Sequence, residues 1–133
     1  MTHAIIRPAP ENDLAQVWGV YYQTGIVGEA SPPAPGSVPA ELRHEFVSGR
    51  MVVAVIADRL CGYATVTTRR NLGFLSSLFV LPDVQSTGLG TRLLHEVLPA
   101  DEGLRCTLSS ADPRALSLYI RSGMQPQWPV YYL

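Results

Sequence analysis

A chain of 133 residues with 47% apolar and 16% charged residues can build a core for one folded domain, and wholesale disorder is excluded. The formal charge is −1 and no basic run is longer than Arg69-Arg70, which argues against a nucleic-acid partner, because binding a phosphate backbone needs clustered cations. No stretch approaches the roughly 20 apolar residues that span a bilayer, and "MTHAIIRPAPEN" lacks a signal pattern. The expectation is a single domain over residues 1–133, cytoplasmic and without a membrane partner.

In chain order, "AIIRPA" at 4–9 predicts a short strand stopped by Pro8. The segment 11–25 then places Leu14, Val17, Trp18, Tyr21 and Tyr22 at helical spacing, with Glu11 and Asp13 at the positive end of the dipole and Gly25 as a stop. Residues 26–38 are rich in Pro, Gly and Ala and predict a mobile surface loop. "PAELRHEFVSG" predicts a second short helix with Pro39 in its first turn and Gly49 beyond its last. "RMVVAVIA" and "LCGYATVTT" predict a hairpin turning at Asp58-Arg59, and "RRNLG" turns the chain into a third strand, "FLSSLFVL".

"TRLLHEVLP" predicts a helix with an apolar stripe of Leu89, Leu93, Leu94, Val97 and Leu98. "LRCTLSS" predicts another strand. In "DPRALSLYIRSG", Asp112 suits an N-cap, Pro113 the first helical position and Gly123 the stop. "QPQWPVYYL" predicts a closing strand. The fold class is α/β (α+β), a mixed, mostly antiparallel sheet flanked by about four helices. Cys61 and Cys106 both fall in strand-like runs, and buried reduced thiols are the expectation rather than a disulfide or a metal site.

Two glycines one residue apart, at the point where the third strand hands over to a helix, weaken that helix locally. The first amides of a helix have no partner within it and sit at the positive end of its dipole. Glycine there lets an anion approach the backbone, so "QSTGLGT" reads as a phosphate cradle. A nucleotide-binding P-loop would need a lysine, and none is present; a dinucleotide fingerprint would need a third glycine, where Leu93 stands. The same residues also suit a turn capped by Ser86 or Thr87 that binds nothing.

The chain resembles the GCN5-related N-acetyltransferases, the GNAT superfamily. The family's Gln/Arg-x-x-Gly-x-Gly/Ala hallmark matches Gln85-Ser86-Thr87-Gly88-Leu89-Gly90, preceded by "LFVLPDV". Its Asn-x-x-Ala-x-x-Leu-Tyr-x-x-x-Gly-Phe pattern is echoed by "DPRALSLYIRSGM", and Arg7-Pro8 and "CGYATV" also fit. The resemblance implies transfer of an acetyl group from acetyl-coenzyme A to a primary amine by direct attack in a ternary complex, with no metal. The alternative is a non-catalytic acyl-coenzyme A-binding module.

By that resemblance, the main chain of Leu78, Phe79 and Val80 pairs with the pantetheine arm in a slot where this strand bulges away from "LRCTLSS". Gln85 and the amides of Ser86, Thr87, Gly88, Leu89, Gly90 and Thr91 hold the pyrophosphate. Asp112, standing where the family usually has Asn, belongs to the same binding set. Tyr119 takes the general-acid position, since a tyrosine with pKa near ~10 can protonate the departing thiolate.

The general base is unassigned: Thr107 stands where some relatives carry glutamate, and Glu29 and His44 qualify only by chemistry. Arg92 is close enough in sequence to meet an outer phosphate, with a solvated helix charge as the plainer role. The acceptor, a small-molecule or protein amine, is placed near Trp18, Tyr21, Tyr22 and Glu29. With only one closing strand the sheet keeps an open edge, which a homodimer would cover.

Overall fold

A computed structural model describes residues 3–131 apart from 27, 29, 32, 33, 100–102 and 111. The five strands are β1 (Ile5–Pro8), β2 (Arg50–Ile56), β3 (Arg59–Arg69), β4 (Leu72–Val80) and β5 (Leu104–Thr107). The four helices are α1 (Leu14–Gly25), α2 (Ala40–Ser48), α3 (Leu89–Val97) and α4 (Pro113–Arg121). Short 3-10 turns at Glu11–Asp13 and Pro82–Val84 lead into α1 and into the glycine loop.

One sheet runs in the order β1-β2-β3-β4-β5; the first four strands are antiparallel and β5 is parallel to β4. The expected α+β class with a mixed, mostly antiparallel sheet is the class observed. Alternation of side chains sorts the two faces. Gly62 lies under Leu93 of α3, where an added Cβ would come within 3.2 Å of Leu93 Cδ1. Its neighbour Tyr63 faces the other way, toward Phe79 and the aromatic side of α1. The core therefore lies between α3 and the sheet on one side and between α1, α2 and the sheet on the other. Leu93, Leu94, Val17, Val20, Val52 and Val53 are its most deeply buried aliphatics.

Local chemistry explains most boundaries. Ala57 and Asp58 both take positive φ (48° and 62°), the conformation of a tight two-residue hairpin turn, so the turn sits one residue earlier than expected and Arg59 already belongs to β3. Freed for the strand end, Arg59 forms a two-pronged ion pair with Asp83 at 2.7 and 3.1 Å. The next hairpin turns at Arg70-Asn71 alone, which lengthens both of its strands. Asp13, at the entrance to α1, is buried and paired with Arg7 at 2.7 Å, tying α1 to β1. Asp112 caps α4, its carboxylate accepting the Arg114 amide at 2.9 Å, with Pro113 in the first turn and Gly123 at φ 98° beyond the end.

Two expectations need correction. The stripe on α1 is not wholly buried: Leu14, Val17 and Val20 enter the core, but Tyr21 is 44% exposed. The closing strand is not formed over residues 124–131. Pro126 and Pro129 have no N–H to give to a ladder, and at three residues apart they would face opposite sides of an extended chain, so either edge would lose a bond. Trp128, Val130 and Tyr131 stay exposed. Both cysteines are free, Cys61 buried in β3 and Cys106 only partly so in β5. Among the described residues, no helix is long and apolar enough to cross a membrane, and no three His, Cys, Asp or Glu side chains gather in a way that could hold a metal ion.

Candidate active site

Strands β4 and β5 pair over only four rungs, Leu72 with Leu104 through Leu75 with Thr107. At that last rung Thr107 Oγ1 donates to the Leu75 carbonyl at 2.8 Å. One residue on, β4 bulges. Thr65 pairs with Ser77 and Val66 with Leu75, leaving Ser76 as the extra residue, and its hydroxyl donates to the Thr65 carbonyl at 3.1 Å. From there to Val80, among the described residues, β4 has β3 on one side and no strand on the other. The two strands part into a slot.

Main-chain polarity alternates along the open stretch. Leu81 N–H donates to the Cys61 carbonyl at 2.8 Å, so Phe79 and Ser77, two and four residues back, also exchange their bonds with β3. The groups of Leu78 and Val80 point the opposite way, into the slot. Phe79 instead presents its ring to the α1 face. The Val80 carbonyl is already occupied by the side-chain amide of Gln85 at 3.0 Å.

The slot leads to the glycine loop. Ser86 takes φ 65° and Gly88 φ 84°, and these two left-handed residues turn successive N–H groups toward one side. Among the described residues, no main-chain N–H from Ser86 to Thr91 finds an acceptor in the chain. The first intrahelical bond is Arg92 N–H to the Gly88 carbonyl at 3.1 Å. Thr87 does not cap the helix; its hydroxyl donates back to the Val84 carbonyl at 2.7 Å, and Gly88, the N-cap residue, has no side chain. Ser86 makes no cap either.

The two glycines serve different ends. Gly88 is required by its backbone conformation. Gly90 is not: a Cβ there would meet nothing closer than Leu118 Cδ2 at 3.6 Å, an ordinary contact. The protein itself does not need glycine at position 90, but a ligand lying on the helix N-terminus would.

A side-chain clasp joins this loop to α4. Gln85, while donating to Val80, accepts a bond from the Arg114 guanidinium. Arg114 also pairs with Asp112 at 3.1 Å. The hydrogen bond from Arg114 holds the Asp112 carboxyl below its ordinary range, so the acid facing this end of the slot carries its own counter-cation. Sequence reading missed Arg114, because the link spans 29 residues and no local pattern announces it.

Tyr119 lies on the half-buried side of α4, next to Leu118, which covers Gly90. Burial pushes its phenol above the ordinary value, so the protonated form prevails through neutral pH. Across the sheet, Trp18 and Tyr21 stack at 5.2 Å, Tyr21 meets Phe79 edge-on at 5.0 Å, and Phe79 stacks on Tyr63 at 5.8 Å. This aromatic wall begins at exposed Tyr21 and ends at fully buried Tyr63. Trp18 Nε1 donates to the Pro35 carbonyl at 2.6 Å and ties the loop before α2 to the wall.

Other candidates are placed elsewhere. Arg92 spends its guanidinium on the Ala4 carbonyl at 3.0 Å. His44 is exposed on the outer side of α2. Glu29 lies outside the described residues. A carboxylate that reaches β4 is that of Glu45, which accepts from Ser77 Oγ at 2.9 and 3.1 Å. The α2 spacing of Leu42, Glu45 and Phe46 marks one inward face and was a signal available in the sequence.

The model of the acetyltransferase (GNAT) domain family matches residues 14–129 of the chain. Among solved structures, an aminoglycoside N-acetyltransferase in complex with CoA superposes with a TM-score of 0.73 at 15% identity, covering 100% of this chain and 95% of that one. An acetyltransferase of Trypanosoma brucei gives 0.71 at 19% identity, covering 98% and 99%. A transcriptional regulator from Bacillus halodurans gives 0.71 at 16% identity, again covering 98% and 99%. At such identities the likeness is one of fold, and a fold hosts more than one function. No match to a curated protein was found by sequence. The family match over nearly the whole chain, on a sheet whose fourth and fifth strands part above a glycine-loop helix, establishes that the chain belongs to the GNAT acetyltransferase family.

Proposed function

We propose that the chain is an N-acetyltransferase that carries an acetyl group from acetyl-coenzyme A to a primary amine by direct attack within a ternary complex. The observation that carries this reading is the continuity of the open β4 edge with six unpartnered N–H groups at the start of α3. A pyrophosphate fits the second feature, because oriented amides at a helix N-terminus attract anions. An extended chain with its own amides fits the first, since it can bond to a free strand edge as an added strand would. Coenzyme A has both parts in that order.

In this reading the amides of Ser86 through Thr91 hold the phosphates, with Gln85 and the Asp112–Arg114 pair bracketing them. Leu78 and Val80 supply main-chain bonds to the pantetheine arm, with Phe79 turned to the acceptor side. The thioester then lies at the end of the slot furthest from the phosphates, beside the Ser76 bulge. The amine nitrogen attacks the thioester carbon, the C–N bond forms and the C–S bond breaks. Tyr119 gives its phenolic proton to the departing thiolate. The structural neighbour solved with a bisubstrate analogue joining CoA to monomethyl-acetylneamine lends support to an amine acceptor meeting the thioester in such a slot.

Two measurements test the reading. Calorimetry is expected to show one acetyl-coenzyme A site per chain. Release of free coenzyme A thiol across a panel of primary amines is expected to show turnover. Tight binding with no turnover on any amine would instead favour a non-catalytic acyl-coenzyme A module, and absence of binding would sink both.

A further inference from the structure

We propose that Glu45, with Ser77 and Tyr63, forms the subsite that receives the acceptor's ammonium group and removes its proton; this rests on the acetyltransferase reading of the slot. Glu45 stands on the inward face of α2, half-buried, and its two carboxylate oxygens share the Ser77 hydroxyl. Ser77 is the residue directly after the bulge, so the carboxylate lies one residue from the place where β4 and β5 part.

Among the described residues, no Lys, Arg or His forms an ion pair with Glu45. Arg43 on α2 and Arg50 on β2 are engaged elsewhere, with Glu11 and Glu96. A partly buried anion is costly unless a cation or several donors meet it. The Tyr63 hydroxyl is fully buried beside Ser77 and, among the described residues, has no hydrogen bond of good geometry; Glu45 is near enough to act on it electrostatically. A carboxylate without a counter-cation and a poorly satisfied hydroxyl, both beside Ser77 and near aromatic faces, suit a protonated amine. Trp18, Tyr21 and Phe79 supply those faces, and Tyr21 leaves the wall open to solvent.

The proton balance is simple. Glu45 accepts one proton from the incoming ammonium and later releases it to solvent. The neutral nitrogen attacks, Tyr119 protonates the thiolate, and the resulting phenolate takes the remaining surplus proton from nitrogen. The products are the amide, the free thiol and one proton. Of the groups packed near Glu45, Tyr63 on β3 feels its charge and Ser77 on β4 donates to it, while on α2 itself Glu41 and His44 are exposed.

The plainer role for Glu45 is to fasten α2 to the sheet, and the test separates the two. Glu45→Gln keeps an acceptor for Ser77 and deletes only the charge. With 2-phenylethylamine and its neutral analogue 2-phenylethanol as probes, binding is followed by tryptophan fluorescence. The parent is expected to prefer the ammonium, and the variant to bind both alike, with its melting temperature and acetyl-coenzyme A affinity unchanged. Its kcat/KM for the amine is expected to fall about 100-fold, the size of a lost general base, with the acid limb of the pH profile changed and part of the rate restored in Glu45→Asp. A parent that binds both probes equally, or a Glu45→Gln variant that acetylates the amine at the parent rate, overturns the proposal. A parent that prefers the ammonium but binds no acetyl-coenzyme A overturns the transferase reading and leaves the ammonium site standing.

Discussion

Thr107 Oγ1 donates to the Leu75 carbonyl at 2.8 Å on the last rung shared by β4 and β5. That bond fixes where the slot begins, because the next residue of β4, Ser76, is the bulge. Thr107→Val keeps the shape and removes the donor. The expected loss is about 1 kcal/mol, read from urea unfolding, together with weaker acetyl-coenzyme A binding as the apex loosens. Unchanged affinity in a measurably destabilised variant would detach the apex from ligand binding.

Gly88 and Gly90 are expected to respond differently to alanine. Gly90→Ala meets only Leu118 at 3.6 Å and replaces a poor helix former, so stability is expected to hold or rise by roughly 0.5–1 kcal/mol. Coenzyme A affinity is expected to drop about tenfold, roughly 1.4 kcal/mol, because the added methyl stands over the amides. Gly88→Ala forces a left-handed alanine at φ 84° and is expected to cost about 1–2 kcal/mol. Calorimetry and thermal unfolding on both variants check the contrast.

Tyr119→Phe is expected to lower kcat about 100-fold or more while leaving acetyl-coenzyme A affinity intact. The sign of the pH effect follows from burial, which disfavours the phenolate and raises the pKa. The acid form therefore persists above the ordinary tyrosine range, and the alkaline limb of kcat is expected there in the parent and absent in the variant. Steady-state rates across alkaline pH decide the matter; an unchanged kcat removes Tyr119 as the acid.

Tyr63 makes a separate prediction about stability. Burial raises its pKa well above normal, so the folded chain keeps the phenol neutral while the unfolded chain ionises near ~10. Stability from this group is complete below that value and is lost as pH rises through it toward the folded value. Tyr63→Phe is expected to flatten this alkaline loss. Because the hydroxyl has no hydrogen bond of good geometry among the described residues, the variant is also expected to match or exceed the parent's stability near neutral pH by up to about 1 kcal/mol. Urea unfolding at neutral and alkaline pH measures both effects.

What the sequence by itself determined lies close to the backbone. The stripe Leu89, Leu93, Leu94, Val97 and Leu98 is buried as its spacing requires, and Asp112, Pro113 and Gly123 begin and end α4 where their conformational preferences place them. The glycine loop was legible because the missing side chains and the unpartnered first amides belong to one short segment. Tertiary structure decided the rest. The slot exists because β5 stops at Thr107 while β4 continues past a bulge. Glu45 reaches Ser77, and Arg114 reaches Gln85, across 32 and 29 residues. Periodicity reports which face of an element seeks the core, but not which polar group on a distant element will stand opposite. That depends on strand register, where a shift of one residue turns every side chain to the other face.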